Sequence, residues 1–94
     1  MKREVIEKIL GRMPGIEADK GRYAIDEKHH LSFYLGDPGR AMVVGEIDRV
    51  VLDEEFAELT TREKGTTVFV SYDAVQAISI RPPREEGGRR AGFA

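Results

Sequence analysis

Between Leu31 and Ile80 the chain runs as short apolar segments, each broken by a turn signal or by charged residues. That rhythm limits the fold more than any other feature. Leu31-Ser32-Phe33-Tyr34-Leu35 carries a large apolar side chain at every second position. Successive side chains of a strand point to opposite faces, so this is the period of a half-buried strand. Gly36-Asp37-Pro38-Gly39 follows at once. Proline presets φ for the second position of a β-turn and glycine admits positive φ, so the tetrad predicts a tight turn. The chain then returns through a second, longer segment, and a small antiparallel barrel begins to take shape.

The second segment, Ala41 to Leu52, is too long and too mixed for one flat strand. Gly45 in its middle predicts a bulge or sharp bend, as a small barrel needs to close. Asp53-Glu54-Glu55 turns the chain, and Phe56 to Thr61 forms the next strand. Arg62-Glu63-Lys64-Gly65 connects it to Thr66-Thr67-Val68-Phe69-Val70-Ser71, which is rich in β-branched residues. Tyr72-Asp73-Ala74 allows a single helical turn, Val75 to Ile80 is the last strand, and Pro82-Pro83 ends it. Alternation assigns Phe33, Leu35, Val44, Leu59, Phe69 and Ile78 to the core.

Upstream, Val5, Ile6, Ile9, Leu10 and Met13 form one stripe at the helical period. They predict an amphipathic helix over residues 2–13 that caps one end of the barrel. Proline at position 14 disfavours continuation. Residues 16–28 stay open: Arg22 to Ile25 suits a short strand, with Ala18 to Gly21 as the turn before it. The expected fold class is therefore all-β with an N-terminal helix, a small, strongly bent antiparallel five-stranded barrel. Residues 1–84 form one domain with the barrel over about 22–81, and the Gly/Arg-rich residues 85–94 read as a disordered tail.

Composition narrows the function classes. The chain has 94 residues, 40% of them hydrophobic and 34% charged, enough for one modest core. It has no cysteine, so neither a disulfide framework nor a thiolate metal site is available. No stretch resembles a secretory leader or approaches the ~20 apolar residues of a membrane span, and the default expectation is a cytoplasmic protein without membrane contact. A formal net charge of −2 disfavours a phosphate-driven nucleic-acid binder. What basic excess exists lies at the C-terminus, in Arg81, Arg84, Arg89 and Arg90.

The order helix, strand, glycine-containing turn, long bent strand, acidic turn, two strands and a short last strand resembles the Sm-like barrel family, and most of all its bacterial Hfq branch. The likeness rests on Leu31 to Leu35, on Gly45-Glu46-Ile47, on Leu52-Asp53 with Phe56, and on Tyr72 to Ile80 followed by Pro82. It covers about residues 5–83. It implies a barrel that pairs strand edges with neighbouring subunits, forming rings. In the Hfq branch a lysine and a histidine after the turn tyrosine grip uridine-rich RNA in the pore. Here Tyr72 is followed by Asp73 and Ala74, so the fold carries over and the pore-side RNA site does not.

No catalytic constellation stands out. His29-His30 lie beside Asp26 and Glu27, but adjacent strand residues point to opposite faces and rarely share an ion. Gly36 to Gly39 lacks the lysine and helix of a phosphate loop. Asp53-Glu54-Glu55 with Glu58 reads as a solvated acidic turn, and Ser71 and Ser79 have no histidine at a recognisable spacing. Tyr34 alternates away from Phe33, and so packs under the helix, joins a subunit contact or stacks on a base or peptide, in that order. The sequence thus predicts a non-enzymatic binding or scaffold module without cofactor or metal, whose chief partner is itself as a homo-oligomer. The alternative is an RNA-binding protein using rim or tail arginines. Candidate partner or RNA contacts are Tyr34, Arg40, Tyr72, Arg81 and Arg84. The edges expected to pair between subunits are Phe56 to Thr61 and Thr66 to Ser71.

Overall fold

The computed structural model describes residues 1–36 and 40–83. The Asp37-Pro38-Gly39 part of the expected turn, Arg84 and the tail lie outside the described residues. Helix α1 spans Arg3–Arg12 and inserts Ile6 and Leu10 into the core. Of the apolar stripe, Val5 stays exposed while Met13 packs against the core cluster. Arg3 and Glu7, one turn apart, meet at 3.4 Å on the polar side. The helix stops at Met13, whose N–H still donates to the Leu10 carbonyl, just before Pro14. An isolated helix this short is marginal in water, so burial of Ile6 and Leu10 is what holds it.

The open stretch after the helix is a hairpin. Strand β1 (Ile16–Asp19) pairs antiparallel with β2 (Arg22–Ile25), Asp19 opposite Arg22. Only Lys20 and Gly21 connect them, with φ of 51° and 82°. Two positive φ values in a two-residue loop make a type I′ turn, whose twist matches that of the strands. The turn is therefore shorter than Ala18 to Gly21, and the sheet begins at Ile16.

Five further strands form a strongly curled antiparallel half-barrel. They are β3 (His30–Leu35), β4 (Met42–Leu52), β5 (Phe56–Thr61), β6 (Thr67–Ser71) and β7 (Val75–Arg81), with a 3₁₀ turn at Tyr72–Ala74 between the last two. Strand β4 organises them. Its first half pairs with β3, its second half with β5, and β2 continues along the β3 edge by pairing Arg22, Tyr23 and Ala24 with Val51, Val50 and Arg49. The five expected barrel strands are present, and the hairpin adds two more to give a seven-stranded sheet. β6 is hydrogen-bonded to β5 alone and β7 to β3 alone.

The bend in β4 falls where Gly45 predicts it, yet Glu46 is the residue with positive φ, at 51°. The register to β3 shifts between Leu31 and Phe33, and that to β5 between Ile47 and Arg49. Paired irregularities of this kind tighten twist and let one strand serve two neighbours.

The concave side of the curl holds one core of Ile6, Leu10, Tyr23, Ile25, Leu31, Phe33, Leu35, Val44, Ile47, Val50, Leu52, Ala57, Leu59, Val70 and Val75. Phe33, Leu35, Val44 and Leu59 lie inside as alternation requires, and Ile78 is half-buried against the cluster from the edge strand. Phe69 is the exception: it is 64% exposed. Strand β6 offers apolar residues on both faces, and its register decides which turns inward. Val68 and Val70 sit opposite Leu59 and Ala57, both buried, while Phe69 sits opposite Glu58 on the convex face. Ring size does not override strand parity.

Candidate functional site

The sequence-predicted contact residues do not converge. Tyr34 lies half-buried on the convex face of β3, with Val43 and Ala77 as cross-strand neighbours and its hydroxyl 3.2 Å from Ser79 Oγ. The helix's buried residues join the concave core instead, so Tyr34 does not pack beneath them. Arg40 is exposed just before β4, and its carbonyl sits so close to Gly36 that no side chain would fit there. Arg81 is 70% exposed at the end of β7, the opposite end from Tyr72. Arg84 lies outside the described residues.

Tyr72 is committed to the fold. Its hydroxyl donates to the Asp53 carbonyl, which ties the 3₁₀ turn to the acidic turn between β4 and β5. The Met1 ammonium donates to the Tyr72 and Val75 carbonyls at 2.7 and 3.1 Å. Burial pushes the Tyr72 phenol up, with Arg3 opposing and Asp53 and Glu7 reinforcing the shift. Tyr23 is pushed up for the same first reason, with Glu7 adding to it. At this end, then, two phenols, Arg3 and Glu7 form an internal polar seam, and exposed Asp53, Glu54, Glu55 and Asp73 make its rim acidic. A negative rim repels phosphate.

The densest charged cluster was not among the sequence candidates. It forms at the β4 bend, around Glu46. His30 Nδ1 lies 3.1 and 3.0 Å from the two Glu46 carboxylate oxygens. Arg62 approaches the same carboxylate at 3.8 Å and Arg81 at 4.0 Å. The Arg62 backbone N–H donates to the Glu46 carbonyl at 2.7 Å. Its guanidinium also donates to the carbonyls of Asp26, Glu27 and His29 at 3.0–3.2 Å, which pins the loop between β2 and β3. Three strands and the connection after β5 therefore bring one carboxylate, one imidazole and two guanidiniums together. An open cavity of about 530 Å³, lined by His30, Arg81, Pro82 and Pro83, adjoins them.

The two histidines part company. His30 opens β3 and turns to Glu46, while the His29 ring packs on Gly15, where a Cβ would overlap it. His29 Nδ1 is buried without a hydrogen-bond partner among the described residues. The signal for the Glu46 cluster was in the sequence as a glutamate beside the bend glycine. Only the fold shows that His30, Arg62 and Arg81 reach it.

Three strands among the described residues, β1, β6 and β7, are paired on one side only. β6 exposes Thr67, Phe69 and Ser71, and the Phe69 ring meets Phe56 edge to face at 5.9 Å between centroids. β5, the other edge expected to be free, is paired on both sides by β4 and β6. No helix among the described residues is long and apolar enough to cross a membrane. The chain matches no protein-family model, and no curated protein or solved structure shows significant similarity to it.

Proposed function

We propose that the chain is a non-catalytic binding or scaffold module of the Sm-like type that works as a homo-oligomer. The observation that carries this reading is the unpaired edge of β6: five residues without a charge or proline, bearing a phenylalanine 64% exposed. Soluble proteins blunt free edges with charges, proline or short length, because an open row of N–H and C=O groups recruits other strands. β1 is blunted in that way, being four residues long with Glu17 and Asp19 exposed. β6 is not, and β7 offers a second open edge with Ile78 and Ile80 only half-buried. Pairing β6 of one copy with β7 of the next would satisfy both edges and cover those side chains.

RNA binding ranks below this. The position where the Hfq branch carries cations holds Asp73, exposed and close to the acidic turn that Tyr72 grips. The test is sedimentation of the full chain at micromolar concentration, beside a Phe69→Lys variant. The expected result is an oligomer that Phe69→Lys dissociates without unfolding, since the ring is not in the core. A strictly monomeric wild type would refute the reading. Tight, salt-resistant and sequence-selective binding of oligo-U would promote RNA recognition in its place.

A further inference from the structure

We infer that the His30–Glu46–Arg81 corner is a binding site for a small tetrahedral dianion of the phosphate-monoester type, held against the cavity bounded by Pro82 and Pro83. Charge is the first ground. One carboxylate faces two guanidiniums, so the cluster carries a net +1 before His30 is counted and +2 when His30 is protonated. Arg62 stands behind Glu46 with its donors fixed on three carbonyls, a permanent charge that does not move toward a ligand. Arg81 is the opposite case. It is 70% exposed and only 4.0 Å from Glu46, too long for a hydrogen bond, so its fork of donors is open to a planar or tetrahedral acceptor.

Orientation is the second ground. Glu46 holds His30 by Nδ1, so Nε2 faces a ligand and donates to an anion in the imidazolium form. Nε2 takes no hydrogen bond among the described residues, and His30 and Arg81 are cross-strand partners that both line the cavity. Backbone geometry is the third. Among the described residues Glu46 is one of two non-glycine residues with positive φ, and the other, Lys20, sits in a turn that requires it. Such conformations persist where the surroundings over-determine them, and they gather at functional sites. Here the unusual φ delivers a carboxylate to the histidine.

The size of the site selects the ligand. A cavity of about 530 Å³ suits a small molecule. Among the described residues it is lined by His30, Arg81, Pro82 and Pro83, and one dianion is matched there by the His30 imidazolium and the Arg81 guanidinium.

The site lies within one chain and does not depend on assembly, so it can fail while the proposed oligomer stands, and the reverse. The experiment is an NMR titration of the full chain, following the His30 ring and Arg81 side-chain signals. The probes are phenyl phosphate, dimethyl phosphate as the diester, and sulfate, which stays a dianion where the monoester's second pKa near ~6 does not let it. Saturable shifts with phenyl phosphate and sulfate are expected, with the diester at least about tenfold weaker, as a monoanion facing two cations. His30→Gln and Arg81→Gln should each abolish the saturable shift of the partner residue, while Arg49→Gln leaves it unchanged. Three results would overturn the site: no saturable shift, equal binding of the diester, or binding unaffected by Arg81→Gln in a variant that still gives the native spectrum.

Discussion

Phe33 and Phe69 are both strand phenylalanines, yet truncating them should have very different consequences. Phe33 is fully buried, flanked in register by Val44 on β4 and Ile78 on β7. Phe33→Ala removes a whole ring from a site walled on both sides, and such truncations lose ~3–5 kcal/mol through transfer and cavity terms together. A domain of this size has ~5–15 kcal/mol in total, so the variant should be close to unfolding at physiological temperature. Phe69 keeps only about a third of its surface covered, with the Phe56 ring edge to face beside it. Scaling the ~1.5–3 kcal/mol of a fully buried aromatic by that third gives roughly 0.5–1 kcal/mol for Phe69→Ala. The measurement is urea unfolding of both variants at concentrations low enough that association adds nothing to the midpoint. The slopes should match wild type and the midpoints should separate widely. Equal losses, or a larger loss for Phe69, would mean that β6 runs in the other register with Phe69 inside.

Two further outcomes follow from backbone and charge. Lys20 is exposed at φ 51° in the type I′ loop, where asparagine is the preferred companion of glycine, so Lys20→Asn should raise the unfolding free energy by about 0.5–1 kcal/mol, read as a higher urea midpoint; a lower midpoint would argue against that turn. Tyr23 and Tyr72 have phenol pKa values raised above 10.0 by burial. An unfolded chain then ionises first, so their contribution is intact below pH 10 and is lost as pH rises from there through the raised folded values. The alkaline unfolding limb should be shallower in Tyr72→Phe, as followed by circular dichroism between pH 9 and 12, and an unchanged limb would refute the assignment.

The order of strands was legible because each segment between turn signals has one period and one length. Leu31, Phe33 and Leu35 admit only one inward face, and the structure uses it. β6 was not legible in the same way, since Val68, Phe69 and Val70 are apolar in succession and only pairing with Ala57 and Leu59 fixes their faces. The β1–β2 hairpin was half visible: Lys20-Gly21 is a weaker turn signal than asparagine-glycine, and Ile16 to Asp19 offers little alternation. The Glu46 cluster was hidden for another reason. Its members are 16 to 51 positions apart in the chain, and each alone reads as a solvated charge. Long-range register, not local pattern, brings them together.

The hairpin also bears on assembly. By adding β2 to the outer half of β4, it occupies backbone that would otherwise form a third open edge, and it ends the sheet in the short acidic β1. The two edges left unblunted, β6 and β7, belong to the opposite margins of the curl and carry different side chains. A contact between them is heterologous, using one patch as donor surface and another as acceptor. Heterologous contacts repeat: they close into a ring when the rotation per subunit divides a full turn and otherwise run on as a filament. Two-fold pairing of β6 with itself would instead leave both copies of β7 open, with Ile78 and Ile80 still half-exposed. If copies pair as proposed, the distribution of edges favours a head-to-tail contact over a two-fold dimer, and blocking β7 should dissociate the assembly as fully as blocking β6.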